Sequence, residues 1–269
     1  MYTLKGVSKT YANGFTALRN LDLHIATGER VAFIGSSGAG KTTLFRLLNC
    51  TLRPTAGTLT IANVDSTTLH GRHLRQMRRN IGTIYQQHNL VLRLRVMHNV
   101  LAGHLGRWST ARALLSLLHP LELDSAVTAL QRVGLAERIF QRTDQLSGGE
   151  QQRVAIARVL LQDPSIILAD EPVASLDLAL AENIVRLLID LAEQQQKTLL
   201  VSLHNVHLAL EYFPRIVALQ HGRSVFDGKP QALSAAAMQR LFTDIPTRQR
   251  PEDTTYGHSH VPIDCRFLT

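Results

Sequence analysis

Short apolar segments alternate with segments of helical periodicity along most of the chain, and turn residues separate them. Residues 2–7, 20–26 and 30–35 have strand patterns, and turns are predicted at Asn13-Gly14 and Thr27-Gly28. Further strands are predicted at 58–61, 81–85, 166–169, 198–202 and 216–219, and helices at 69–79, 148–161, 179–195 and 205–211. Because this alternation is typical of a parallel sheet with crossover helices, the pattern predicts an α/β fold.

Two parts of the chain depart from the alternation. Apolar residues between 94 and 134 have helical spacing, which indicates an all-helical insert. After about Phe242 the chain is polar and carries prolines and histidines without periodicity. We therefore expect one domain across 1–243, with a helical subdomain at about 88–163, and a loosely packed tail at 244–269.

Length and composition exclude several classes of protein. A chain of 269 residues, 45% of them hydrophobic, can bury a full core. We find no run of about 18 apolar residues and no secretory signal pattern, so we expect a cytosolic protein without a membrane span. Cys50 and Cys265 have neither metal-site nor disulfide spacing, which indicates a reduced compartment. His258-Ser259-His260 could chelate a metal, although a solvated tail is the better interpretation.

The positive charge is concentrated in one segment. The net charge is +8, and residues 66–121 contain eight arginines, no lysine and no acidic residue. The other 21 basic residues of the chain balance its 21 acidic residues. A solvated basic face, a nucleic-acid surface and a face turned toward an anionic membrane are all compatible with this composition. The arginines are Arg72, Arg75, Arg78, Arg79, Arg93, Arg95, Arg107 and Arg112.

A glycine-rich loop between a predicted strand and a predicted helix indicates a phosphate site. Glycines let the backbone wrap closely around a polyphosphate, and the helix that follows presents its positive N-terminal end. Lys41 would reach the β- and γ-phosphates, and the Thr42 hydroxyl would bind Mg²⁺. A glycine-rich turn without a nucleotide is the alternative. The loop consists of Gly35, Ser36, Ser37, Gly38, Ala39, Gly40, Lys41, Thr42 and Thr43.

Two carboxylates follow an apolar strand. Asp170 and Glu171 directly follow the apolar run 166–169. In P-loop folds, ligands bind at the carboxyl ends of the parallel strands. One carboxylate, Asp170, would bind Mg²⁺, and Glu171 would hold and polarise the attacking water. An ordinary loop start is the alternative, but the P-loop in the same chain favours the catalytic interpretation.

A second anion site is predicted where Ser147, Gly148 and Gly149 enter a helix. Backbone N–H groups and a hydroxyl are exposed at such a turn, while a simple helix cap would explain Ser147 alone. The run from Leu146 to Gln151 reads Leu-Ser-Gly-Gly-Glu-Gln. With the P-loop and the two carboxylates, this run resembles the ATP-binding subunits of ABC transporters over about residues 3–235.

The resemblance implies roles for further residues. Tyr11 matches the aromatic residue that stacks on adenine, and His204 matches the switch histidine that contacts the γ-phosphate. Gln86 matches the glutamine that touches Mg²⁺ or the water, with Gln87 as the alternative. Asp177 matches the loop that crosses the dimer interface, following Ser175-Leu176. The family commonly has Phe at the position of Tyr85 and often Pro at that of Leu178.

The resemblance also implies the architecture and assembly. We expect an ABC-type P-loop NTPase with a RecA-like parallel-sheet core, an antiparallel β subdomain and a helical insert. Two copies would form a head-to-tail homodimer in which each ATP, with Mg²⁺, lies between Lys41 of one copy and Ser147, Gly148, Gly149 and Gln151 of the other. Membrane permease subunits would be direct partners, and a periplasmic or extracellular binding protein an indirect one. The subunit would be peripheral, on the cytoplasmic face of the bacterial inner membrane, and no nucleic acid is expected.

Three segments narrow the resemblance to importers of phosphorus oxyanions. The run 89–91, the run 99–107 and the stretch Pro172-Val173-Ala174-Ser175 resemble the phosphonate-import ATPases, and the helical stretch 108–134 fits the same group. Phosphite and hypophosphite importers are closely similar. Another ABC importer or exporter, or a soluble ABC protein associated with nucleic acid, is the alternative.

Overall fold

Two β-sheets and eight α-helices make up the described part of the chain, residues 1–118, 120–174 and 176–233 of a computed structural model. The strands are β1 (Tyr2–Thr10), β2 (Thr16–Ile25), β3 (Arg30–Ile34), β4 (Ala56–Ile61), β5 (Val64–Asp65), β6 (Ile81–Ile84), β7 (Ile166–Asp170), β8 (Thr198–Ser202), β9 (Arg215–Gln220) and β10 (Arg223–Gly228). The helices are α1 (Lys41–Leu48), α2 (Gly71–Arg79), α3 (Val96–Leu101), α4 (Thr110–Leu118), α5 (Leu123–Arg132), α6 (Gly148–Gln162), α7 (Leu178–Gln194) and α8 (Val206–Tyr212).

The smaller sheet is antiparallel and is formed by strands from the N-terminal part of the chain. Its strand order is β2-β1-β4-β5. Tyr2, Leu4 and Val7 of β1 are buried, which gives this strand one apolar face. The Tyr2 hydroxyl donates to the carbonyl oxygen of Leu48, 3.0 Å away, and so joins the sheet to the end of α1.

The larger sheet has the order β10-β9-β3-β8-β7-β6. All of its strands are parallel except β10, which pairs antiparallel with β9. The central strands β3, β7 and β8 are buried along almost their whole length because helices cover both faces of the sheet. Since the strands are parallel, β3, β7 and β8 end at the same edge, where the P-loop, the Asp170-Glu171 pair and His204 follow them.

Helices α3 to α6 form a lobe beside the larger sheet. Asn99, buried in this lobe, accepts from the backbone N–H of Val91 at 2.8 Å and donates to Thr143 Oγ1 at 2.9 Å. Among the described residues, no helix is long and apolar enough to cross a membrane.

Most of the predicted elements are present. The α/β prediction is confirmed, with the predicted antiparallel sheet and helical insert. Strand β10 was not predicted, since it is an edge strand whose residues alternate between exposed and half-buried. The helical stretch 94–134 divides into α3, α4 and α5 with a 3-10 helix at Ala102–Gly106. The tail 244–269, with Cys265 and the His258-Ser259-His260 motif, lies outside the described residues, as does Ser175.

Candidate nucleotide site

The loop between β3 and α1 requires glycine at two positions. Gly35 has φ 151°, and a Cβ there would lie 2.3 Å from the carbonyl oxygen of Leu219. Gly40 has φ 106°, and a Cβ there would lie 2.7 Å from the carbonyl oxygen of Ala17. Side chains at these positions would clash with neighbouring backbone, so the loop packs tightly against the strands and turns beside it.

Lys41 is a buried cation at the start of α1. Its side chain is 3% exposed, and Nζ donates to the carbonyl oxygen of Gly35 at 2.8 Å. Nζ also lies 3.6 Å from Glu171 Oε1. Burial lowers the pKa of Lys41, and the Glu171 and Asp170 carboxylates oppose this effect. The ammonium group is therefore held in place beside the acidic pair by backbone and carboxylate oxygens.

Ser202, at the end of β8, positions both carboxylates. Its Oγ donates to Asp170 Oδ1 at 2.7 Å and accepts from the backbone N–H of Glu171 at 2.9 Å. Asp170 is 8% exposed, and this burial raises the pKa of its carboxyl group, against the hydrogen bond from Ser202. The side chain of Thr42 also hydrogen-bonds to Asp170. Sequence reasoning missed Ser202, although a hydroxyl that ends an apolar strand two residues before His204 was a usable signal.

Glu171 faces the pocket from a left-handed backbone. Its φ of 52° is uncommon for a residue other than glycine, and such geometry is found where a side chain is held in a functional direction. Oε1 of Glu171 lies 2.6 Å from Nε2 of His204. Lys41, Glu171 and His204 therefore meet at one point, although they come from three different segments of the chain.

A pocket of about 430 Å³ surrounds this meeting point. Gln86 lies on its wall, whereas Gln87 lines only the adjoining cavity. The turn at 147–149 does not line the pocket in the part of the chain that the structure describes. The lining residues are Phe15, Ala17, Ser37, Gly38, Ala39, Gly40, Lys41, Thr42, Thr43, Gln86, Glu171 and His204.

Two aromatic side chains lie near the loop. The hydroxyl of Tyr11 is 3.1 Å from Thr43 Oγ1, and its backbone N–H donates to the carbonyl oxygen of Phe15 at 2.9 Å. Phe15 is 57% exposed and lines the pocket. Sequence reasoning missed Phe15, whose signal was an aromatic residue directly after the Asn13-Gly14 turn.

The Ser147 turn is a complete capping box at the start of α6. Ser147 Oγ accepts from the backbone N–H of Glu150, whose carboxylate accepts from the Ser147 N–H at 2.9 Å. The bonds that the N–H and the hydroxyl of Ser147 donate to this carboxylate lower the pKa of Glu150. Gln151 Nε2 donates to the carbonyl oxygen of Leu146 at 3.0 Å. The turn is therefore stabilised by bonds within the same chain.

The Ser147 turn also contacts the start of α7. A Cβ on Gly149 would lie 2.4 Å from Leu180 Cδ2, whereas a Cβ on Gly148 would meet no atom within 4 Å among the described residues. Asp177 caps α7 by accepting from the backbone N–H of Leu180 at 3.0 Å. Gly148 thus leaves open space on the outer side of the turn, and Gly149 packs inward.

Comparison with known proteins identifies this arrangement. The profile of the family described as "ABC transporter" matches residues 18–174, more than half of the chain. The chain belongs to the ABC transporter family. As an ABC-type ATPase, it binds ATP and hydrolyses it.

Relatives in this family are similar over nearly the whole chain. "Phosphonates import ATP-binding protein PhnC 1" of Ruegeria sp. (strain TM1040) is 42% identical over 94% of this chain and 98% of its own length. The protein of the same name from Pseudomonas syringae pv. tomato is 48% identical over 90% of this chain and 89% of its own length.

Solved ABC structures have the same fold. A dimeric post-hydrolysis state of the ATP-binding cassette MJ0796, bound to ADP and Pi, is similar with a TM-score of 0.74 and 36% identity, covering 86% of this chain and 99% of that one. The cbiO1 protein of Clostridium perfringens, part of the cbiONQ transporter complex, is similar with a TM-score of 0.75 and 26% identity, covering 89% and 92% of the two chains.

Proposed function

We propose that this chain hydrolyses ATP to power import of a phosphorus oxyanion, and that phosphonate is the cargo. The observation that carries the proposal is the identity of 42% and 48% to two relatives named as phosphonate-import ATP-binding proteins, over nearly full length. Phosphite and hypophosphite remain alternative cargoes, because their importers have similar ATPases.

We assign ATP binding to the loop between β3 and α1 and to the first residues of α1. The backbone N–H groups of the loop and the Lys41 ammonium bind the phosphates, and Tyr11 stacks on the adenine. Support comes from the two close glycine contacts and from the buried position of Lys41 at the pocket wall.

Three oxygen donors fit a Mg²⁺ ion at the same site. The hydroxyl of Thr42, the buried carboxylate of Asp170 and the side-chain oxygen of Gln86 line one cavity, and hard oxygen ligands are those that Mg²⁺ prefers. When bound, the ion supplies positive charge that neutralises the phosphates.

Hydrolysis is assigned to Glu171 and His204. The Glu171 carboxylate orients the attacking water and accepts its proton, while His204 contacts the γ-phosphate. Their contact of 2.6 Å, between Glu171 Oε1 and His204 Nε2, supports a shared role at the terminal phosphate.

A second copy completes the site. The turn of Ser147, Gly148 and Gly149 does not line the P-loop pocket of its own chain in the described structure, and Gly148 leaves space for a ligand. We assign Ser147, Gly148, Gly149 and Gln151 of one protomer to the ATP of the other, with Asp177 at the interface. Product charge then separates the two halves, which drives the permease.

The remaining assignments concern the membrane. Residues 1–243 form the ATP-binding domain, and its helical subdomain at about 88–163 faces the permease from the cytoplasmic side. Helix α2 carries Arg72, Arg75, Arg78 and Arg79 and buries none of its residues, so its basic surface is open to a partner. We assign this surface to the membrane side, as the family resemblance implies. A periplasmic or extracellular binding protein delivers the cargo to that permease.

Growth on defined phosphorus sources tests the proposed cargo. A strain that lacks this chain is complemented with wild type or with Glu171→Gln, and phosphonate, phosphite, hypophosphite or phosphate is the sole phosphorus source. We expect growth on phosphonate only with the wild type. Selective growth on phosphite or hypophosphite would replace the cargo, and equal growth of both strains on every source would contradict oxyanion import.

A further inference from the structure

Helix α6 holds the start of strand β6. Gln162 Nε2 donates to the carbonyl oxygens of Arg79 at 2.9 Å and Ile81 at 3.1 Å. A Cβ on Gly82 would lie 2.5 Å from Val159 Cγ1, so the strand packs directly on the helix. The backbone that enters β6 is therefore fixed to the C-terminal turn of α6.

The same helix face holds the backbone that leaves β6. Nη1 of Arg158 donates to the carbonyl oxygen of Asn89 at 2.6 Å, and Nη2 donates to that of His88 at 3.0 Å. Arg158 and Gln162 are four residues apart, so they lie on one face of the helix. Between their two attachment points lies Gln86, on the wall of the nucleotide pocket.

The turn that Arg158 contacts has an unfavourable backbone geometry. His88 and Asn89 are consecutive non-glycine residues with φ of 56° and 49°, in the left-handed region, and this backbone geometry carries a conformational cost. Their N–H groups donate to the carbonyl oxygens of Tyr85 and Gln87, which closes a tight turn. A guanidinium that binds both carbonyl groups of this turn offsets part of that cost.

We infer that Arg158 is a positioning residue of the nucleotide site, whose guanidinium ties the turn after Gln86 to α6. The inference rests on the proposed role of Gln86. Ser147, the N-cap of α6, lies eleven residues before Arg158, or about 16 Å along the helix axis. A ligand bound at the Ser147 turn and the position of Gln86 are therefore connected through one helix and one side chain.

The helix offers a matched control. Arg153 also lies on α6 and its Nη1 also approaches a backbone carbonyl oxygen, that of Val133 at 3.4 Å, within the helical lobe. Arg153→Gln therefore removes the same charge and the same kind of bond from the same helix without touching the turn at His88. Arg158→Lys keeps the charge but can reach only one of the two carbonyl groups at a time.

Two measurements on the full chain test the inference. Hydrogen–deuterium exchange is followed in peptides that cover 85–90, and kcat and KM for ATP hydrolysis are measured. In Arg158→Gln we expect exchange there to rise and kcat to fall, each by about tenfold, because a charge-assisted bond to two carbonyl groups is lost. KM should change less than kcat, and Arg158→Lys should lie between wild type and Arg158→Gln.

A double-mutant cycle separates this inference from the role of Gln86. Adding Arg158→Gln to Gln86→Ala should lower kcat little further, because both changes act on the same interaction. Wild-type kcat in Gln86→Ala alone would refute the role of Gln86, and the exchange data would still decide whether Arg158 holds the turn. Exchange and kcat in Arg158→Gln that match those in Arg153→Gln would overturn the inference, as would additive effects in the cycle.

Discussion

At the scale of single residues, the site depends on a cation and a carboxylate that are buried together. Lys41 and Glu171 lie 3.6 Å apart, and Ser202 fixes the backbone from which Glu171 projects. Because both side chains are largely withdrawn from water, removing either one leaves an imperfectly compensated charge in the other. Substitutions of Lys41 or Glu171 should therefore change ATP binding or hydrolysis more than substitutions of exposed charged residues do.

Replacing Lys41 with alanine should weaken ATP binding. Loss of a charged donor to the phosphates is expected to cost about 2 kcal/mol, or roughly 30-fold in Kd. Calorimetric titration with ATP measures the change, and the exposed Lys5→Ala variant serves as the control. An unchanged Kd in folded Lys41→Ala would contradict the assignment of the loop as the phosphate site.

Replacing His204 with alanine should slow hydrolysis while ATP binding is retained. We expect kcat to fall about 100-fold, as when one transition-state donor is removed, because His204 contacts Glu171 at the terminal phosphate. His207→Ala is the matched control, since that side chain is 82% exposed and pairs with Glu211 instead. Equal kcat values in the two variants would remove His204 from the site.

Sequence alone indicates candidate site residues where one short segment carries the pattern. Lys41, Asp170 and Ser147 lie in local patterns whose spacing alone indicates phosphate chemistry. Ser202 and Phe15 could not be found in this way, since their importance comes from tertiary contacts with residues that are distant along the chain. A hydroxyl or an aromatic ring outside a motif occurs in many structural roles, so its presence alone does not predict a functional site.

At the scale of elements, α6 links the Ser147 turn to the rest of the molecule. Its N-terminus is a capping box, and its C-terminal half holds both ends of the β6 segment. The helix was predictable from the Ser-Gly-Gly start and the Asp163-Pro164 stop. Its contacts were not, because hydrogen bonds to the carbonyl groups of a distant turn leave no periodic signal in the sequence.

Replacing Glu150 with glutamine should destabilise the chain in a pH-dependent way. The bonds from Ser147 lower the pKa of Glu150 below its ordinary value of 4.5, so its ionised form stabilises the folded state. At pH 7 the loss should be about 1 kcal/mol in the free energy of unfolding. The difference should shrink as the pH falls below 4.5, as the carboxyl group takes up its proton in both states.

Urea unfolding at pH 7 and near pH 4 measures this dependence. The exposed Glu137→Gln variant is the control for loss of charge alone. A Glu150→Gln effect that stays constant between the two pH values would contradict the stabilising role of the carboxylate at the cap.

At the scale of the whole molecule, the Ser147 turn lies outside the P-loop pocket of its own chain in the described structure. The P-loop pocket carries Lys41, Glu171 and His204, while the Ser147 turn opens elsewhere and leaves room at Gly148. In the proposed head-to-tail dimer, the Ser147 turn of each copy would complete the P-loop pocket of the other. ATP can close such a dimer only if it binds the closed state more tightly than the open one.

The most direct test is the oligomeric state of Glu171→Gln with and without ATP and Mg²⁺, measured by analytical ultracentrifugation together with hydrolysis. We expect ATP to convert this variant from monomer to stable dimer, while its kcat falls about 100-fold or more because the proton acceptor is lost. Wild-type hydrolysis by Glu171→Gln, or a chain that stays monomeric with ATP bound, would contradict the shared site and the role of Glu171 in it.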